Sequence, residues 1–126
     1  MWAHIELYKF VFTFLNFANL LGHGEISVSN YSNNESRKWK INAECNNIQI
    51  VSSYFDTQPD NDILTIDGEM YSGNKTINQT VQKEKFLVTF TSDDTETHSG
   101  FLLQWKCKGK LLVHLLHLLQ IFNLFK

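Results

Sequence analysis

Proline occurs once in these 126 residues and glycine six times, too rarely for a linker, a collagen-like chain or a low-complexity segment. Cysteine occurs twice, at Cys45 and Cys107, with no CxxC spacing and no neighbouring ligands that would build a zinc site. There is no surplus of basic residues: the formal charge is −2, so no strongly positive surface points to nucleic acid or to an acidic membrane face. No apolar run reaches the roughly 18 to 20 residues that a helix needs to span a bilayer. A glycine-rich phosphate loop, an HExxH pair and a Gly-x-Ser-x-Gly elbow are all missing, which removes the commonest sequence signs of an enzyme. The length suits one hydrophobic core better than two.

What is present begins with a segment that has the layout of a secretory leader. Lys9 precedes the apolar run from Phe10 to Leu21, and Gly22-His23-Gly24 sets small residues at the −3 and −1 positions of a cleavage site after Gly24. A buried N-terminal helix is the alternative use of the same run. Four Asn-x-Ser/Thr sequons, at Asn30, Asn34, Asn74 and Asn78, fall in polar stretches between apolar runs, where surface glycans belong. The expected organisation is a signal peptide over 1–24, a folded domain over 25–107 and a leucine-rich tail over 108–126, in a secreted chain.

Between Glu25 and Cys107 the dominant period is two. Trp39, Ile41, Ala43 and Cys45 alternate with Lys40, Asn42 and Glu44, and Ile48 and Ile50 open a second run that ends at Tyr54-Phe55. Ile63 to Ile66 is a third, closed by Asp67-Gly68, a dipeptide suited to a tight hairpin turn. Phe86, Val88 and Phe90 form a fourth, and Phe101, Leu103, Trp105 and Cys107 a fifth. Short strands separated by Asn, Ser, Asp and Gly predict an all-β antiparallel sandwich. Cys45 and Cys107 each share the parity of apolar neighbours, so both are expected to face inward from different strands and to form a disulfide in an oxidising compartment. Closing a loop of about 60 residues would add roughly 4 kcal/mol in the loop-entropy description. Two separate buried thiols are the alternative.

After Cys107 the character changes. Lys108-Gly109-Lys110 leads into a leucine-rich run from Leu111 to Phe125. His114, His117, Gln120 and Asn123 recur every three residues, so on a helix they drift round the circumference without forming one polar stripe. Two readings stand: a tail that contacts or anchors to a membrane, and a segment that belongs to no domain. The lone HxxH pair has no further ligand beside it and is not read as a metal site.

In order along the chain come Ser29-Asn30-Tyr31, Trp39-x-Ile41, Ile48-x-Ile50 and Tyr54-Phe55-Asp56-Thr57-Gln58. Asp62 to Ile66, Asp67-Gly68 and Tyr71-Ser72-Gly73 follow, then Phe86 to Asp94 and Ser99-Gly100-Phe101. This series resembles a CUB domain over about residues 26–107, most specifically in F-x-V-x-F-x-S-D followed after a short gap by G-F. The resemblance implies a jelly-roll sandwich and an extracellular binding module. Many CUB domains carry four cysteines. The one before the Asp62 strand and the one beside Ser72-Gly73 are missing here, so the Cys45–Cys107 pairing rests on strand parity alone.

The resemblance also implies a calcium site. Its ligands fall on Gln58, Asp62, Asp93 and Thr95, and the tyrosine that supports the acidic pair falls on Tyr31. Calcium takes six to eight oxygens, and Gln58 in place of the family's glutamate offers an oxygen without the charge, so weak binding is expected. An EF-hand beginning at Asp60 fails, because Leu64 and Thr65 stand where an oxygen ligand and glycine are required. His98-Ser99 near Asp93 has the letters of a hydrolase triad, but sequence neighbours project in different directions. The leading expectation is therefore a non-catalytic module that recognises an extracellular protein or glycan through acidic, calcium-ordered loops. The alternatives are a membrane-associated structural protein anchored by its tail and a small secreted hydrolase.

Overall fold

The apolar–polar alternation becomes eight strands in the computed structural model, which describes residues 22–108 and Gln120. They are β1 (His23–Ser29), β2 (Ser36–Asn42), β3 (Ile48–Asp56), β4 (Ile63–Ile66), β5 (Glu69–Tyr71), β6 (Asn78–Val81), β7 (Lys85–Thr91) and β8 (Gly100–Cys107). The apolar run of the expected leader lies outside the described residues, and so does the expected tail apart from Lys108 and Gln120. Among the described residues no helix is long and apolar enough to cross a membrane.

The strands form two four-stranded sheets, β1-β8-β3-β6 and β2-β7-β4-β5, with every pair antiparallel. This is the all-β antiparallel sandwich that the period of two predicts. Only the β4–β5 link stays within one sheet; every other link carries the chain across to the opposite sheet. In the hairpin, Asp67 and Gly68 both adopt positive φ (47° and 87°), as a two-residue type I′ turn demands. Antiparallel alternation sends the links at 30–35, 57–62, 72–77 and 92–99 to one end of the sandwich. The links at 43–47, 67–68 and 82–84 lie at the other end.

The core draws on both sheets. Ile26, Val28, Ile48, Phe55, Phe101 and Leu103 are buried with Leu64, Ile66, Phe86, Val88 and Phe90, each worth roughly 1.5 to 3 kcal/mol of transfer free energy. The period of two breaks once. A register shift between Ser52 and Tyr54 leaves Ser53 unpaired, so Ile48 and Ile50 point inward at even positions while Phe55 does so at an odd one. Tyr54 is thereby turned outward, 42% exposed. Such a bulge re-aims side chains without ending the strand. At the edge, β2 carries Arg37, Lys38 and Lys40, all exposed, which discourages pairing with another chain. The seam beside β5 and β6 is closed by Tyr71, whose hydroxyl donates to Gln79 Oε1 (2.7 Å), while Gln79 Nε2 donates to Ile66 O (3.0 Å).

Cys45 and Cys107 form a disulfide with Cα atoms 6.1 Å apart, which removes the alternative of two free thiols. The expectation that both cysteines come from strands holds for Cys107 only. β2 ends at Asn42, so Cys45 sits in the β2–β3 link, not on a strand, and is buried there with Ala43. Cys107 is the last residue of β8. The bridge therefore fastens a link that crosses between the sheets to a central strand.

Candidate binding site at the acidic end of the sandwich

The strands sort the acidic residues between the two ends of the sandwich. Asp67 and Glu69 lie at the hairpin end of β4, and Asp67 pairs there with Lys83 at 3.0 Å. Asp56, Asp62, Asp93 and Glu96 are carried to the opposite end by β3, the β3–β4 link, and the β7–β8 link. Beneath them lies a row of packed rings. Tyr31 meets Phe90 edge-on at 4.9 Å, Phe90 meets Phe101 at 5.3 Å, and Phe101 stacks with Phe55 at 5.6 Å. Such contacts are individually worth about 0.5 to 1.5 kcal/mol beyond their area. They give the polar residues above them a rigid floor.

Asp62 is the anchor. It is fully buried, and a buried carboxylate is costly unless its oxygens are bonded. Its Oδ2 accepts the Tyr31 hydroxyl at 2.5 Å and its Oδ1 accepts the Asp93 amide at 3.0 Å. Its own amide donates to Gln58 O (3.2 Å), and its carbonyl accepts Thr57 Oγ1 (2.9 Å). Burial, and then the bond to Asp62, push the Tyr31 phenol up to about 12, so it keeps its proton and donates it. The same hydroxyl accepts the Gln58 amide at 3.2 Å. No ion pair among the described residues includes Asp62 or Asp93.

Gln58, itself buried, links this anchor to the surface. Its Nε2 lies 3.2 Å from Thr95 Oγ1 and 3.3 Å from Glu96 Oε2, and its Oε1 lies 3.5 Å from Thr95 Oγ1. Thr95 Oγ1 in turn sits 3.1 and 3.2 Å from the two carboxylate oxygens of Asp93, and the Thr95 amide donates to Asp93 Oδ1 at 3.1 Å. The four residues that the resemblance marks, Gln58, Asp62, Asp93 and Thr95, thus form one hydrogen-bonded group with Tyr31 behind it.

The network extends further than the sequence reading reached. His98 Nδ1 lies 2.9 Å from Asp56 Oδ1, and its Nε2 lies 3.5 Å from Glu96 Oε1. The hydrogen bond to Asp56 raises the imidazole above its ordinary pKa, against a smaller desolvation effect and with help from the two carboxylate charges. Both ring nitrogens face carboxylates. Asp56 and His98 are 42 residues apart, and only the return of β8 beside β3 brings them together. The pairing Asp56↔Gly100 in that ladder is the contact responsible. Asp56 also borders a polar groove with Ser53, Tyr54, Asn74 and Ser99.

Around Thr95 the structure gathers the Gln58 amide, through both Nε2 and Oε1, and the carboxylates of Asp93 and Glu96, with Asp62 behind Asp93. Among the described residues no three acidic, imidazole or thiol side chains converge as a metal cage. The four sequon asparagines Asn30, Asn34, Asn74 and Asn78 are exposed. Asn30 and Asn34 have positive φ of 49° and 58° in the link that borders the acidic end, where the Asn34 amide donates to Asp93 O at 2.7 Å. No protein-family model matches this chain, and no curated protein matches it.

Proposed function

We propose that this chain is an extracellular, non-catalytic binding module of CUB type whose acidic end receives a basic group of a protein or glycan ligand. The observation that carries the reading is the gathering of Asp56, Asp93 and Glu96 at one end above the buried Asp62, with no Lys or Arg of the described residues among their ion-pair partners. A ligand ammonium or guanidinium meeting such a surface gains charge-assisted hydrogen bonds, and the local field raises its rate of encounter. The polar groove beside Asp56 offers further hydrogen-bonding surface to the same ligand. Secretion is supported by the disulfide, which suits an oxidising compartment, and by the exposed sequons.

Calcium belongs to this reading as a weak ordering ion. Gln58, Asp62, Asp93 and Thr95 would hold it, and it would supply positive charge that keeps the 92–99 link against the β3–β4 link. Tyr31 holds Asp62 in place beneath the site. Gln58, with an amide where a carboxylate would add charge, limits the affinity.

Capture experiments test the proposal. The immobilised chain is exposed to extracellular medium with calcium, with a chelator, and with high salt, beside an Asp93→Asn variant. The reading predicts a retained ligand that is lost on chelation, in salt and in the variant. Retention that is indifferent to all three would place recognition elsewhere on the domain.

A further inference from the structure

Gly22 and Gly24 satisfy a leader-cleavage rule in the sequence, yet the structure gives both a role inside the folded domain. β1 begins at His23, and the ladder to β8 pairs His23 with Lys106, Gly24 with Trp105 and Glu25 with Gln104. Ahead of the strand, Gly22 O accepts the Cys107 amide at 2.9 Å. Neither glycine has the positive φ that would explain it by backbone conformation, since the glycines with positive φ are Gly68, Gly73 and Gly100. What both need is space. A methyl carbon on Gly22 would run into the carbonyl oxygen of Ala43 and stand 2.9 Å from Cys107 Sγ. One on Gly24 would lie 2.6 Å from Cε2, Cζ2 and Nε1 of the Trp105 indole. An aromatic ring laid over a glycine on the neighbouring strand is a recognised way to stabilise an edge strand.

We propose that Gly22–Gly24 are retained as the first residues of the folded domain, and that the Gly24–Glu25 bond is not a processing site. Any removal of the leader takes place at or upstream of the Leu21–Gly22 bond. A cut after Gly24 would strip the register partners from Trp105 and Lys106 and leave the Cys107 amide without its acceptor. It would also place a new charged N-terminus on Glu25, within the ladder. The disulfide partner Cys107 and the start of β1 thus form one clasp at the end of the sandwich opposite the acidic residues.

Alanine separates the two uses of these glycines. A leader peptidase accepts alanine at −1 as readily as glycine, whereas in the fold its methyl group would force the Trp105 ring out of its place over β1. The experiment measures intact mass and N-terminal sequence of the deglycosylated chain from expressing cells, together with thermal midpoints of the wild type and Gly24→Ala. The expected result is an N-terminus at Gly22 or upstream, and a midpoint about 4 °C or more lower in the variant. An N-terminus at Glu25 in the wild type, with a variant of identical mass and midpoint, would overturn the proposal. If Gly24→Ala is too damaged to accumulate, the wild-type N-terminus alone decides. The inference rests in part on the extracellular reading, but the two fail differently. A full-length chain kept in the cytosol contradicts secretion while still retaining Gly22–Gly24, and an N-terminus at Glu25 contradicts only the inference drawn here.

Discussion

Tyr31 and Asp62 are 31 residues apart in the chain, yet the phenol of one donates to the buried carboxylate of the other at 2.5 Å. Both are almost inaccessible to water, and a second partner, the Asp93 amide, occupies the other carboxylate oxygen at 3.0 Å. The β1–β2, β3–β4 and β7–β8 links are therefore held at one point.

Removing the phenolic hydroxyl tests that junction. Tyr31→Phe keeps the ring packing on Phe90 and leaves Asp62 Oδ2 and the Gln58 amide without a partner. The cost of orphaning a buried polar group is about 1 to 3 kcal/mol, read as a lower denaturant midpoint with an unchanged slope. The variant should also unfold differently in alkali. The Tyr31 pKa is raised in the folded state to about 12. Its stabilising contribution is thus complete below the unfolded value near 10 and is lost as pH rises through about 12. Wild type should lose stability across that window, and Tyr31→Phe should lose less.

His98 supplies a second pH dependence, at the other end of the same network. Its pKa is raised, chiefly by the hydrogen bond to Asp56. The charged form therefore favours folding. The contribution is fully present below the unfolded value of about 6.5 and fades as pH rises through the higher folded value. A proton NMR titration of the imidazole should show a midpoint above 6.5 in wild type, lowered by Asp56→Asn. An unchanged midpoint in that variant would mean that the Asp56 contact does not persist in solution.

The disulfide spans 62 residues, and the loop-entropy description assigns such a closure about 4 kcal/mol. Cys45→Ala with Cys107→Ala should lower unfolding free energy by an amount of that order, and reducing agent should lower the wild-type midpoint to match. Non-reducing peptide mapping should recover Cys45 and Cys107 in one linked pair. Two freely alkylated thiols in folded protein would contradict the structure.

Much of this architecture was legible in the sequence because strands with one buried face write their period directly. Phe86-x-Val88-x-Phe90 and Phe101-x-Leu103 are read correctly from alternation alone, and Asp67-Gly68 announces its own turn. The missed strands show where that signal fails. β5 has three residues and β6 reads Asn78-Gln79-Thr80-Val81, with one buried side chain between them. β1 starts at His23, between two glycines that also have the spacing of a cleavage signal, so the sequence does not mark where the strand begins. The bulge at Ser53 was hidden because Ser52, Ser53 and Tyr54 carry no apolar mark that would reveal a change of parity. In the candidate site, Gln58, Asp62, Asp93 and Thr95 were singled out by their order along the pattern the chain resembles. Asp56, Glu96 and His98 were not, because their meeting depends on which strand lies beside β3, and the period of a strand does not encode its neighbour.

If Gln58, Asp62, Asp93 and Thr95 form the weak cation site proposed above, thermal unfolding should depend on calcium. Wild type, Asp93→Ala and Gln58→Glu are melted in chelator and in increasing calcium. At about ten times its dissociation constant, calcium should stabilise wild type by roughly 1.4 kcal/mol, a rise of several degrees for a domain of this size. Asp93→Ala should lose that rise while melting within about 1 kcal/mol of wild type in chelator. Gln58→Glu, which adds a charged oxygen ligand, should enlarge it. A calcium response that is absent in wild type, or unchanged by both substitutions, would mean that no such site exists and leave these acids as the turn residues of a sandwich that binds by other means.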